Sequence, residues 1–135
     1  MCGIAGFVAF NRDQTEQTMR QVAMAQADSI IHRGPDSGDV YTDKTLGVAL
    51  AHRRLAIIDL SPAGYQPMVS SNDDYVIVYN GEIYNADETR EELANRGVSF
   101  RGHSDTEVLL EACAAFGVEE AVKRFVGMFA FALLD

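Results

Sequence analysis

The residue best equipped for chemistry is the second. The chain opens Met1-Cys2-Gly3-Ile4, and an initiator methionine is normally removed when the next residue is as small as cysteine. The mature chain would then carry a thiol and a free α-amine on one residue. A thiol near pKa ~8.5 and an α-amine near ~7.7–8.0 differ by less than about one unit, so moving the proton from sulfur to nitrogen costs only about 1 kcal/mol. One residue would thus supply both nucleophile and base. Gly3 keeps the backbone unobstructed where a substrate must approach. Taken alone, the Met-Cys start favours the plainer reading of Cys2 as a small buried residue of a first strand.

Other reactive side chains point to structure. His32, His52 and His103 have no partner at metal-ligand spacing, and an N-terminal nucleophile does not require a histidine, so all three are read as structural. Cys113 lies on the apolar face of a helical pattern and suits the core.

Length and charge narrow the field. The 135 residues fit one ordinary domain. A net charge of −9 argues against binding nucleic acid or anionic membranes, which needs clustered Lys and Arg. Two cysteines make no disulfide framework. The apolar opening lacks a basic leader and is cut off by Asn11-Arg12-Asp13, so it makes a poor signal peptide. No apolar run approaches the ~20 residues of a membrane helix, and the default compartment is the cytoplasm.

The elements that must position Cys2 can be read from periodicity. Residues 2–10 suit a buried strand. Asp13 and Glu16 resemble a capping box ahead of Met19, Val22, Ala23, Ala27, Ile30 and Ile31 at helical spacing, with Gly34-Pro35 as the stop. Leu46–Ala51, Leu55–Ile58 and Tyr75–Tyr79 suit short strands. A second helix starts near Asn85 and closes at Gly97, and a short strand follows it. Ser104-Asp105-Thr106-Glu107 is a stronger capping box, with Val108, Leu109, Ala112, Cys113 and Phe116 as its apolar face. Gly117 ends that helix, residues 119–125 suit a further turn or two, and Met128–Leu134 suits a strand. The sequence stops on that apolar run, which leaves an exposed strand edge and predicts truncation.

Seven segments then stand in order: MCGIAGF at 1–7, HRGPDSG at 32–38, AHRRLAIIDLS at 51–61, GYQPM at 64–68, YNGEIYN at 79–85, HSDTE at 103–107 and GMFAFALLD at 127–135. Together they resemble the glutaminase domain of glutamine-hydrolysing asparagine synthetases, a class II glutamine amidotransferase domain, across essentially the whole chain. Glucosamine-phosphate synthase and phosphoribosyl-pyrophosphate amidotransferase share the CGI-type start, but their middle motifs differ. The resemblance implies an α/β fold of the N-terminal-nucleophile hydrolase type, a four-layer αββα sandwich of two antiparallel sheets between helices. On that basis residues 1–135 are an incomplete amidotransferase domain, without its last strands or the synthetase domain.

The resemblance also implies roles. Cys2 is the nucleophile, and Asn80 and Gly81 form the oxyanion hole, where an amide donor and a backbone N–H meet developing negative charge. Read alone, Asn-Gly after YVIVY is an ordinary hairpin signal. Arg54 holds the α-carboxylate of glutamine with a planar guanidinium fork, while Arg53 points elsewhere if residues 51–58 are a strand. Without the motif, either arginine reads as a solvated surface charge. Leu55 and Ile57 line the pocket through backbone groups. Asp105 pairs with the α-ammonium and Glu82 is a further polar contact, although Asp105 also suits a helix cap. Arg33, Gly34, Pro35 and Asp36 build a loop beside the site, or simply stop a helix.

The activity implied is hydrolysis of L-glutamine to glutamate and ammonia, with no cofactor in this domain and with ATP and magnesium in the absent synthetase domain. That domain is the expected partner, and a homo-oligomer is possible. A catalytically silent remnant that binds a partner, and a different N-terminal-nucleophile thiol amidase, stay open.

Overall fold

The computed structural model describes residues 2–11, 13–57 and 59–135. Met1, whose removal the sequence predicts, and Ile58, the expected end of a strand, lie outside them. Strand β1 (Gly3–Val8) is followed by helix α1 (Glu16–Ser29), then β2 (Ser37–Asp43) and β3 (Val48–Arg54). The short β4 (Met68–Val69) and long β5 (Val76–Ile83) precede three helices, α2 (Ala86–Asn95), α3 (Asp105–Phe116) and α4 (Val118–Arg124), and the chain closes with β6 (Gly127–Leu134). The strands form two antiparallel three-stranded sheets, ordered β1-β3-β2 and β4-β5-β6.

Side chains alternate across a strand, and this alternation builds four layers. On β3, Ala49 and Ala51 face α1, meeting Met19, Ala23 and Ala27, which recur at helical spacing. Leu50, on the other face of β3, packs on Val76 and Val78 of β5. The opposite face of β5, with Ile77, Tyr79 and Ile83, packs on Val108, Leu109 and Ala112 of α3 and Leu93 of α2. Three apolar seams therefore separate helix, sheet, sheet and helices, which is the αββα sandwich the sequence resemblance implies. Burying side chains such as Leu109 and Leu110 completely stabilises by roughly 1.5–3 kcal/mol each.

Several local expectations need correction. The cap of α1 is Thr15 rather than Asp13: the Thr15 hydroxyl accepts the Thr18 N–H at 3.1 Å, and Glu16 turns away to accept the Thr42 hydroxyl at 3.1 Å. Strand β2 is an edge strand with a polar sequence, so its pattern gave no apolar signal. The described part of Leu55–Ile58 is not a strand, because the Leu55 and Ala56 N–H groups turn to the Cys2 sulfur and the Asp36 carboxylate. The strand expected before α3 is an irregular loop. Its Arg101 and Gly102 N–H groups donate to buried Glu107, at 2.8 and 2.9 Å, and its Gly102 and Ser104 carbonyls accept from Arg90. Half of the expected capping box therefore forms: Ser104 accepts the Glu107 N–H at 3.3 Å, while the Glu107 carboxylate serves this loop.

Asn80-Gly81 is not a hairpin turn. Both residues lie inside β5, opposite Ala130 and Phe129 of β6. A Cβ on Gly81 would fall on the Phe129 side chain and within 2.5 Å of the Met128 carbonyl oxygen, so only glycine allows this approach of the strands.

Candidate functional site

Cys2 immediately precedes Gly3, which pairs with Arg53 of β3. By alternation its side chain shares the face of Ile4, toward the second sheet. The chain leaving β3 meets it there: the Leu55 N–H donates to the sulfur at 3.4 Å, and the sulfur lies 3.6 Å from the Leu55 carbonyl. The segment behind braces both. Arg33 Nε donates to the Cys2 carbonyl at 3.0 Å, Asp36 accepts the Ala56 N–H at 2.8 Å, and the Asp36 N–H donates to the Arg54 carbonyl at 3.1 Å.

A cavity of about 250 Å³ is lined from both sheets and from the start of α3. All eight residues singled out from the sequence line it: Cys2, Arg54, Leu55, Ile57, Asn80, Gly81, Glu82 and Asp105. Ile57 and Glu82 are exposed parts of that lining, whereas Arg54 and Asp105 are buried.

Arg53 and Arg54 separate as strand alternation demands. Arg53 pairs with Asp28 of α1, outside the cavity. Arg54 turns into the cavity, where its guanidinium donates to the Asp59 and Ser61 carbonyls and lies 4.8 Å from the Tyr65 ring centre. A Cβ at Gly64 would strike the same guanidinium. Among the described residues, no carboxylate forms an ion pair with Arg54.

Asp105 is the complementary case. As the first residue of α3 it sits at the positive end of the helix dipole. Its Oδ2 accepts the Tyr79 hydroxyl at 2.7 Å and the Ile83 N–H at 3.0 Å, and its Oδ1 accepts the Thr106 N–H at 3.0 Å. Among the described residues no cation pairs with it. The capping role belongs to its neighbour Ser104.

The direction of the Gly81 N–H follows from the β5 ladder. Tyr84 N–H donates to the Val126 carbonyl at 2.8 Å, so even-numbered residues of β5 turn their polar atoms toward β6 and odd-numbered ones turn away. On the far side, the Tyr79 N–H meets Gln66 Oε1 at 2.6 Å and the Ile83 N–H meets Asp105. The Gly81 N–H lies between these two on the same side. Asn80 shares the side-chain face of Val76 and Val78, toward the sheet that carries Cys2.

Sequence reasoning passed over Tyr79, Gln66, Asp59 and Thr106, which also line the cavity. All four stood without a role inside quoted motifs, Asp59 in AHRRLAIIDLS, Gln66 in GYQPM, Tyr79 in YNGEIYN and Thr106 in HSDTE. Burial and the neighbouring Asp105 carboxylate push the Tyr79 phenol's pKa upward, so it remains a donor. Asp59 is lowered to about 2, chiefly by the Ser61 hydroxyl and then by the His103 N–H, which ties the Arg54 loop to the start of α3.

Of the histidines, His32 and His103 are exposed, and His52 is buried between the sheets. Its Nε2–H donates to the Tyr79 carbonyl at 3.1 Å, which leaves Nδ1 unprotonated and, among the described residues, without a partner. Burial lowers its pKa to about 4, the Tyr79 carbonyl opposes this, and Arg54 adds to it. Cys113 is buried in the core, where desolvation raises its thiol to about 11. Among the described residues, no three His, Cys, Asp or Glu side chains group as a metal site, and no helix is long and apolar enough to cross a membrane.

A family model described as the glutamine amidotransferase domain matches residues 1–135. Two asparagine synthetases [glutamine-hydrolyzing] of Bacillus subtilis are similar. Number 3 is 41% identical over all of this chain and 21% of its own length, and number 1 is 43% identical over 97% of this chain and 20% of its own. The chain thus spans about a fifth of the length of these curated relatives. Among solved structures, glutamine phosphoribosylpyrophosphate amidotransferase from B. subtilis superposes with a TM-score of 0.72 at 22% identity, over 98% of this chain and 34% of that one. At that identity the likeness concerns the fold.

Proposed function

This chain belongs to the glutamine amidotransferase domain family, and from that premise we propose that it hydrolyses the side-chain amide of L-glutamine with Cys2 as nucleophile. One observation carries the proposal. A single cavity is lined by a thiol, a buried guanidinium and a buried carboxylate, and among the described residues neither charge has an ion-pair partner. Unpaired buried charges are expensive, and a free amino acid satisfies both with its own carboxylate and ammonium while its side chain reaches the sulfur.

The mechanism follows from the groups at hand. With Met1 removed, the Cys2 α-amine takes the thiol proton, and the Leu55 N–H donates to the thiolate. Sulfur adds to the amide carbon of glutamine. Negative charge then develops on the amide oxygen, where the Asn80 side-chain amide and the Gly81 N–H are proposed to receive it without reorganisation. The C–N bond breaks as the ammonium of Cys2 protonates the departing nitrogen, leaving ammonia and a γ-glutamyl thioester. Water adds to the thioester with the same amine as general base, and glutamate leaves as the thiol reforms. Arg54 and Asp105 hold the two ends of the α-amino acid, with Glu82 and the backbone of Leu55 and Ile57 around it.

The curated relatives are named for asparagine synthesis driven by glutamine hydrolysis. On this reading residues 1–135 are a glutaminase part that supplies ammonia to a synthetase part, in the cytoplasm. ATP and magnesium would act in the synthetase part on an acceptor carboxylate. Glutamate release from glutamine tests the core of the proposal. The chain should release it and Cys2→Ala should not; equal release by both would overturn the assignment of Cys2.

A further inference from the structure

The carboxylate of Asp105 has little acceptor capacity to spare. A carboxylate offers about four lone-pair positions. At Asp105, the Tyr79 hydroxyl and the Ile83 N–H occupy Oδ2, and the Thr106 N–H takes one position on Oδ1. The remaining position is on Oδ1. Two of the three donors are backbone groups fixed by β5 and α3. Tyr79 is the side-chain donor, and thus the one that a substitution can remove without disturbing the ladder.

Tyr79 is itself held from every direction. The residue is 3% exposed, and its ring stacks on Phe129 with centroids 6.3 Å apart. Strand β4 is too short to pair with β5 at this residue. Side chains substitute for it: Gln66 Oε1 accepts the Tyr79 N–H, and the His52 Nε2–H donates to its carbonyl. Gln66 Nε2 in turn donates to the Thr106 hydroxyl at 3.2 Å, closing a ring of contacts around Asp105. The phenol stays protonated, so the hydroxyl donates to Oδ2 throughout the neutral range.

We propose that the Tyr79 hydroxyl, by filling Oδ2, assigns Oδ1 to the ligand's ammonium group, and is thereby a positioning residue that fixes the register of the substrate amide against the Cys2 sulfur. This rests on the glutamine site proposed above. Without the hydroxyl, Oδ2 gains an open position and an ammonium group can settle on either oxygen. The amide carbon then loses its fixed distance to the sulfur, and displacements of about 1 Å lower rates by up to about 100-fold. A substrate without an ammonium group makes no use of this choice.

The test compares Tyr79→Phe with the wild-type chain on glutamine and on glutaramate, which keeps the carboxylate and the amide and lacks the amino group. The kcat/KM for glutamine should fall roughly ten-fold, the scale of one hydrogen bond to a charged group, while that for glutaramate stays unchanged. The ratio of the two does not depend on the folded fraction, since unfolded chains turn over neither substrate. An equal loss on both substrates, a loss of all activity together with cooperative melting, or an unchanged ratio would each overturn the inference and leave the glutamine reading standing. A wild-type chain that fails to prefer glutamine over glutaramate would overturn both.

Discussion

Arg53 and Arg54 are consecutive in the chain and act on opposite faces of β3, one bound to Asp28 of α1 and the other turned into the cavity beside Cys2. Strand alternation alone divides their work. Their substitutions should therefore fail differently. Arg54→Lys keeps the charge and loses the planar fork, so kcat/KM for glutamine should drop about 100-fold, mainly through KM. Arg53→Ala should leave KM in place and lower unfolding stability by about 1–2 kcal/mol, seen in urea titrations. A matched effect of the two on KM would contradict the division.

Gly81 is fixed by packing as well as by its proposed role. Because a Cβ there would collide with Phe129 and the Met128 carbonyl, Gly81→Ala should destabilise the chain by about 3 kcal/mol through overpacking of the β5–β6 pair. Chemical denaturation measures this without any substrate. A change below about 0.5 kcal/mol would mean the strands part easily.

These two predictions also show what the sequence made legible. The cavity lining was readable because motifs carried it: all eight residues named from the sequence meet in one place. Helix α3 was readable because Ser104 and the apolar run behind it agree. Strand β2 was not, since an edge strand has no need of an apolar pattern. The described part of Leu55–Ile58 and the segment ahead of α3 read as strands and are loops, because their backbone groups bond to side chains outside the local pattern, Asp36, the Cys2 sulfur, Arg90 and Glu107. Tyr79 escaped notice for the same reason: its importance lies in four partners from four separate segments.

His52 should make stability depend on pH. Its pKa is lowered to about 4 from 6.5, so between those values the unfolded chain binds a proton that the folded chain refuses. Stability rises with pH wherever the unfolded state holds more protons. The His52 contribution is therefore full above about pH 6.5, falls as pH drops toward 4, and amounts to roughly 3 kcal/mol across the window. Asp59 works at lower pH: its lowered carboxyl contributes above about 3.8 and is lost as pH falls toward 2. His52→Gln, with no titrating ring, should flatten the stability profile between pH 4 and 6.5 while leaving the steeper acid limb below it. An unaltered slope in that window would show that His52 is solvated.

Glutamine hydrolysis here requires the Cys2 sulfur to share its cavity with a receptor for the two charged ends of glutamine. The most direct measurement uses an analogue with a diazoketone in place of the amide, 6-diazo-5-oxo-L-norleucine, followed by peptide mass spectrometry. One covalent adduct is expected, on Cys2 as the first residue of its peptide, suppressed by excess glutamine and weakened by Arg54→Ala. An adduct on Cys113, or labelling of Cys2 that neither glutamine nor Arg54→Ala affects, would contradict it.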